Sequence, residues 1–463
     1  MKSFKCGDCY ELPTLCHIEM TYKCNQNCIF CYNPRRGESI NYDKLDKIVA
    51  AVAKANIPHV YLSGGEPSML DVKVLNKYID LLSPSSSVTV LTNGNRTMKG
   101  LSKKIACLGI PIHGTTAEEH DAMTRVPGSF NRMIESVKYY VSEGYDVRCI
   151  LVLTGYNYNK MYTLIKMAEE LGMESVYVDR YEDGGIGATN SKLKKLKPTL
   201  EQFREALTQI LAARKDCKKL NGKVGFGTAI PFCIDKRLLT DGISSTCGVG
   251  TSFCAINSDG DFRICNQSEI VFGNVLQEDI KDIWKKRDIR CFRDLEWVEE
   301  PCKSCKALRD CVAGCKVDVN YSNAFSIDYA VRNDIDKTMQ ENIEYINQKY
   351  PLIRLKESNK IISYDITLDT IIKKSPYLKI NDTTKDLLCV TRYQTVLIDS
   401  KVKQILQYIM EKEKIKLCEL TQFINDKEEL LRVCNLLLNI DAITTEKVKV
   451  GVVWNIILKY IGK

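Results

Sequence analysis

Histidine is scarce in this chain, with four residues among 463. Metal chemistry resting on imidazole is thereby set aside, and any metal centre has to be built on sulfur. Charge of one sign is lacking too. Lys plus Arg number 66 against 58 Asp plus Glu, a formal charge of +8. That is mild for the length; it fits a modest preference for acidic partners and gives no support to nucleic-acid binding. No apolar run approaches the length of a membrane span, and Met1 to Tyr10 holds no apolar signal core. No membrane association and a reducing cytoplasm are therefore expected. What the chain has in excess is cysteine, 21 residues. In such a compartment these read as metal ligands or redox centres, not disulfides.

The most informative stretch is EMTYKCNQNCIFCYNP, where Cys24, Cys28 and Cys31 are spaced C-x3-C-x2-C. A 4Fe-4S cluster normally takes four thiolates, so three on one short loop leave one iron open to a small chelating molecule. Structural zinc would want four ligands, and neither His nor a fourth Cys lies close by. A short strand, His59 to Leu62, then runs into Ser63, Gly64, Gly65, Glu66 and Pro67. Two glycines permit close approach to the main chain.

Together these motifs resemble the radical S-adenosylmethionine (SAM) enzymes. The resemblance implies that SAM chelates the open iron of a 4Fe-4S cluster and that the Gly64-Gly65-Glu66-Pro67 loop holds its methionine end. It also makes Phe30, Asn93 and Arg180 candidate SAM contacts. Asn93 and Arg180 read equally well as a turn residue and a surface cation. Low-potential clusters of this kind are oxygen sensitive, so an anaerobic setting is expected.

The length suggests two to four domains. From residue 17 to about 228, β runs alternate with helical patterns, as a parallel α/β fold requires. Strands are expected at His17 to Met20, His59 to Leu62, Val88 to Thr92, Gly109 to His113, Val147 to Thr154 and Ser175 to Arg180. Helices are expected at Tyr42 to Ala55, Asp71 to Leu82, Met98 to Leu108, Ser129 to Glu143 and Asn159 to Leu171. Six such units resemble the partial (β/α)6 barrel of the radical SAM family, placed here at residues 1–230, with chemistry at the C-terminal strand ends.

A second cysteine array fills residues 231–345. CGVGTSFCAINSDGDFRIC carries Cys247, Cys254 and Cys265, and CKSCKALRDCVAGC carries Cys302, Cys305, Cys311 and Cys315. This array resembles the SPASM extension of radical SAM proteins, including its G-x4-C element at Gly260 to Cys265. By that resemblance Cys247, Cys254, Cys265 and Cys315 ligate one auxiliary 4Fe-4S cluster, and Cys302, Cys305 and Cys311 hold a second. The family supplies a further Cys downstream, yet KVDVNYSNAFSIDYAVRN has none. Asp328 stands where that ligand is expected, and a carboxylate can bind iron; Cys291, an open site and a reduced cluster count are the alternatives. Cys6 and Cys9 form an extra pair on a terminal segment.

After Tyr350 the metal motifs cease. Two strands around a turn from Leu387 to Asp399, helices at Lys401 to Glu411, Lys416 to Phe423 and Asp426 to Leu438, and a wing at Ile443 to Val453 suggest a small α+β winged-helix-like domain over 355–463. Its order resembles the leader-peptide recognition module of the pyrroloquinoline quinone pathway, which would take a precursor peptide as an added edge strand. A DNA-binding winged helix would instead need a basic third helix, whereas Asp426, Glu428 and Glu429 open this one.

The combined resemblance implies a peptide maturase. With an electron from a donor such as flavodoxin or ferredoxin, SAM yields a 5'-deoxyadenosyl radical that abstracts hydrogen from a ribosomally made precursor, giving a thioether or carbon-carbon link. The alternatives are a formylglycine-forming sulfatase-maturing enzyme and an iron-sulfur DNA-binding regulator. In the sulfatase-maturing subgroup an Asp base commonly follows the G-x4-C cysteine, whereas here Asn266 follows Cys265, an amide that cannot take a proton.

Overall fold

A computed structural model describes residues 11–33, 35–182, 195–220, 223–295, 297–317, 326–350, 352, 363–382, 387–392, 394–412 and 414–445. Cys6, Cys9 and the part of the expected wing beyond Thr445 lie outside the described residues.

Six strands stand side by side in chain order and all parallel: β1 (Leu15–Glu19), β2 (His59–Ser63), β3 (Ser87–Leu91), β4 (Cys107–Pro111), β5 (Val147–Leu153) and β6 (Ser175–Arg180). Five helices lie between them: α1 (Tyr42–Ala55), α2 (Val72–Leu82), α3 (Ala117–Thr124), α4 (Ser129–Ser142) and α5 (Met161–Glu170). Strands whose two faces are both covered read as near-continuous apolar runs, which is why β3 and β4 are legible in sequence. α1 shows the helical counterpart. Leu45, Ile48, Val49 and Val52 recur at the i, i+3, i+4, i+7 spacing of one buried face, Asn41 caps its start by accepting from the Lys44 N–H, and Asn56 ends it in the left-handed region at φ 53°.

One local expectation needs correction. Met98 to Leu108 is no helix. The Met98 N–H donates to the Tyr140 hydroxyl at 2.7 Å, Gly100 turns the chain at φ +78°, and Cys107 already belongs to β4. The β3–β4 crossover thus has no helix, and the β4–β5 crossover has two, α3, opened by the Thr116 cap, and α4.

The sheet also extends past the six strands at both edges. β7 (Val224–Phe226) joins β6. On the other side β8 (Phe253–Ile256) runs parallel to β1, followed by the antiparallel strands β9 (Asp261–Arg263) and β10 (Val271–Asn274). The cysteine-rich region thus continues the barrel sheet and shares its apolar core, in which Ile18, Ile256, Phe262 and Trp284 are buried together.

The C-terminal region has a core of its own, built on Ile372, Ile405, Leu406, Val433 and Leu437. It contains the antiparallel sheets β15-β11-β16 and β12-β13-β14, namely β11 (Ile371–Lys374), β12 (Lys379–Asn381), β13 (Leu388–Val390), β14 (Thr395–Leu397), β15 (Ile415–Lys416) and β16 (Ile443–Thr445), with helices at Ser400–Glu411 and Lys427–Asn439. Its contacts with the barrel are to residues at the N-terminal ends of the strands. Lys379 Nζ donates to the Ser86 carbonyl at 2.6 Å and Asn381 to the Asn56 carbonyl at 2.9 Å. Arg392 donates to the Ala106 carbonyl and pairs with Asp146 at 2.8 Å. This unit therefore sits under the barrel, at the end away from Gly64, Thr92 and the cysteine loop.

Candidate metal centre

The cysteine loop leaves β1 at its C-terminal end and folds over the turn that follows β2. Gly65 N–H donates to the Thr21 carbonyl at 2.6 Å and Glu66 N–H to the Lys23 carbonyl at 2.9 Å. The two glycines are required by the chain itself. A Cβ on Gly65 would stand 2.2 Å from the Lys23 carbonyl oxygen, and one on Gly64, at φ +118°, would stand 2.6 Å from that of Thr21. Glu66 is buried and binds the neighbouring turn: one carboxylate oxygen accepts from Ser68 N–H and the Thr92 hydroxyl, the other from Asn93 N–H at 2.7 Å. Pro67 is buried and opens the turn Pro67–Met69. Asn93 is thereby aimed at the loop, where its amide donates to Asn25 Oδ1 at 2.7 Å and approaches Cys24 Sγ at 3.9 Å.

Cys24, Cys28 and Cys31 are gathered within this loop. Gln26 N–H donates to Cys24 Sγ and Asn33 N–H to Cys31 Sγ, each at 3.4 Å, amide-to-sulfur bonds that favour thiolate. Burial nevertheless pushes the Cys24 thiol up to about 11, with Glu66 and Cys31 adding to it, and pushes Cys28 higher still. Three half-buried sulfurs that repel one another as thiolates call for a compensating cation, so the donor set fits an iron cluster. Among the described residues no three His, Cys, Asp or Glu converge as ligands of a single metal ion; a cubane spreads its thiolates around a cage. Phe30 packs edge-on against His113, ring centroids 4.7 Å apart, among Met123, Tyr181 and Leu196.

The second array is divided by the fold. Cys247 interacts electrostatically with both Cys265 and Cys315, so these three form one group. Cys254 does not join them. It lies in β8 directly opposite Cys16 of β1, fully buried in the apolar core, because strand alternation places it on the same face as Ile256. Cys302, Cys305 and Cys311 form the other group and line one apolar cavity together with Cys233.

Arg180 and Asp328 are bound to each other. Arg180 Nε also donates to Glu182 at 2.7 Å. Both groups are buried, and the two carboxylates flank the guanidinium at the C-terminal end of β6. Asp328 Oδ2 additionally accepts from Cys315 N–H at 3.0 Å, and Oδ1 from Ala330 N–H at 3.1 Å. Its oxygens are engaged by protein donors, and it does not line the Cys302 cavity. Cys291, on the helix Arg287–Asp294, does not line it either. No spacing motif singles out Cys233, the residue that does.

Between the two cysteine regions lies a polar cavity of about 210 Å³. One wall carries Glu19, Tyr22, Tyr32 and Gly64; the other carries Arg263, Asn266 and Gln267. Asn266 Nδ2 donates to the Tyr32 hydroxyl at 3.3 Å, and Arg263 pairs with Glu19 across the wall. Tyr32 follows Cys31 and Asn266 follows Cys265, so the cavity adjoins both the SAM loop and the first auxiliary group.

Comparison with known proteins agrees with this geometry. Residues 18–168 match the radical SAM superfamily and residues 247–306 the SPASM iron-sulfur cluster-binding domain. The AdoMet-dependent heme synthase of Methanosarcina barkeri is 25% identical over 328 residues, 66% of this chain and 91% of that protein. The PqqA peptide cyclase of Rhodopseudomonas palustris is 22% identical over 336 residues, 68% of this chain and 85% of that protein. Among solved structures, Streptococcus suis SuiB bound to its precursor peptide SuiA aligns with TM-score 0.53 at 17% identity, covering 67% of this chain and 73% of SuiB. AnSMEcpe with bound AdoMet and a peptide aligns with TM-score 0.54 at 17% identity, covering 74% of this chain and 99% of that one. The fold is therefore that of a radical SAM protein with a SPASM region, and 4Fe-4S clusters and SAM are its cofactors.

Proposed function

From a radical SAM enzyme with a SPASM extension, we infer a maturase that abstracts hydrogen from a ribosomally made precursor peptide and forms a thioether or carbon-carbon cross-link. When bound, the cofactors supply a 5'-deoxyadenosyl radical by reductive cleavage of SAM, with the electron coming from a flavodoxin or ferredoxin in an anaerobic cytoplasm. The protein's own contribution is placement. Cys24, Cys28 and Cys31 would hold the SAM cluster, Asn93 and the Gly64–Pro67 turn would orient SAM, and Phe30 with His113 would wall the site against water.

The observation that carries this reading is the cavity shared by Tyr32 and Asn266. Forming a cross-link removes two electrons from the peptide. One leaves with the abstracted hydrogen atom; the other needs an acceptor, and the Cys247, Cys265, Cys315 group reaches the cavity wall through Asn266, the neighbour of Cys265. Asn266 there cannot act as a base, which disfavours formylglycine formation. The C-terminal unit, which neither family match reaches, would dock the leader segment along an edge such as β14, paired among the described residues with β13 alone. Asp426 caps the helix Lys427–Asn439 and Glu428 and Glu429 follow, an acidic start that disfavours DNA.

The test is mass spectrometry of a candidate precursor, encoded beside this gene, after incubation with full-length enzyme and with enzyme lacking residues 355–463. Full-length enzyme should remove two hydrogens from the peptide. The truncated form should still cleave SAM but modify the peptide far less. Equal modification by both would refute the docking role, and an unmodified peptide with the full-length enzyme would count against the maturase reading.

A further inference from the structure

Cys302, Cys305 and Cys311 fall one thiolate short of a cubane, and after Cys315 the next cysteine is Cys389, which is buried in the separate C-terminal core. The missing ligand comes from the other direction in the chain. Cys233 sits in the short turn Phe232–Ile234 and lines the same cavity as the three array cysteines. The remaining lining residues are Pro, Phe, Ala, Leu, Val and Ile, so among the described residues the four sulfurs are the only metal-binding side-chain atoms facing this space.

Local structure explains how a residue so far upstream arrives there. Gly314, between Cys311 and Cys315, has φ +75°, and a Cβ on it would stand 2.5 Å from Pro231. Only glycine lets the 231–233 segment approach so closely. Asn342 Nδ2 then fixes the turn by donating to the Cys233 carbonyl at 3.1 Å.

We propose that Cys233 is the fourth ligand of the second auxiliary 4Fe-4S cluster, which is therefore fully thiolate-ligated and closed to substrate. The peptide then meets the enzyme at the Tyr32–Asn266 cavity, and the second cluster serves to brace the array or carry electrons. The inference rests on the Cys302 group holding a cluster, and iron content separates that premise from the ligand assignment.

The test uses full-length protein carrying Cys24→Ala, Cys28→Ala and Cys31→Ala, so that only auxiliary iron remains. About eight irons per chain are expected, two cubanes of four. Mössbauer spectra should show no oxygen-ligated iron in the cluster assigned to the Cys302 group, a measurement that needs no substitution at Cys233. Adding Cys233→Ser should shift the EPR signal of that cluster or release about four irons, leaving the other cluster's signal in place. Adding Asp328→Asn should leave the Cys302 cluster's signal unchanged. Eight irons with unaltered spectra in the Cys233→Ser protein, or an oxygen-ligated iron in that cluster of the parent, would overturn the ligand assignment. A parent holding only about four irons would remove the cluster and the proposal with it.

Discussion

Arg180 and Asp328, 148 residues apart in the chain, form a buried ion pair that ties the end of β6 to the backbone of Cys315. Removing one partner of a buried pair leaves the other charge unpaired at a cost of about 3–5 kcal/mol. Asp328→Ala leaves Arg180 to Glu182 alone and frees the Cys315 and Ala330 N–H groups, so it should lower stability by less than that, about 1–3 kcal/mol, read as a drop in denaturant midpoint of the cluster-loaded protein. A midpoint within error of the parent would show that the pair does not fasten the barrel to the array.

Gly65→Ala should separate the SAM site from the rest of the molecule. The new methyl group would stand 2.2 Å and 2.5 Å from two carbonyl oxygens of the cysteine loop, and main chain cannot swing aside as a side chain can. Displacing a reacting group by about 1 Å can cost on the order of 100-fold in rate. The expected outcome is a loss of that order in 5'-deoxyadenosine formation with auxiliary iron retained, checked by chromatography and iron analysis.

Cys254→Ala tests the division of the second array. Because Cys254 faces Cys16 in the core, its removal should leave iron and sulfide content unchanged and lower stability by about 1 kcal/mol. Cys265→Ala should release iron from the first auxiliary group. Equal iron loss in both variants would return Cys254 to the ligand set.

Much of the barrel was legible because its strands are short apolar runs and its helices carry a clear 3.6-residue pattern; α1 begins and ends where that pattern does. Met98 to Leu108 misled because an apolar face spaced like a helix also suits a turn leading into a buried strand, and Gly100 decides for the turn. The three-cysteine loop stood out because its cysteines are close together in the chain. The rest of the metal chemistry is not local. Strand register decides that Cys254 faces Cys16, and only chain closure around Gly314 brings Cys233 to Cys311. The Arg180–Asp328 pair had no trace in the sequence, since ion pairing between distant residues leaves no spacing signal.

The position of the C-terminal unit sets a length requirement on the substrate. It sits at the N-terminal ends of the strands, so a docked leader must connect past the full strand length, about 17–23 Å for five to seven residues, and past a helix layer about 10 Å deep at either end. At about 3.3 Å per residue, a spacer on the order of a dozen residues is needed. Shortening the spacer of a precursor below that length should abolish the gain in effective concentration while leaving leader binding intact. The check is modification rate against spacer length, with leader affinity measured in parallel. A rate that does not depend on spacer length would place the leader elsewhere.

The most direct measurement of the central claim follows 5'-deoxyadenosine and peptide mass together, under anaerobic reduction, in the parent enzyme and in the variant with Cys24, Cys28 and Cys31 all replaced by Ala. The parent should form 5'-deoxyadenosine and deplete the peptide by two hydrogens. The triple variant should do neither, while keeping the iron of the second array. Continued SAM cleavage or peptide modification by the triple variant would contradict the assignment of this loop as the source of the radical.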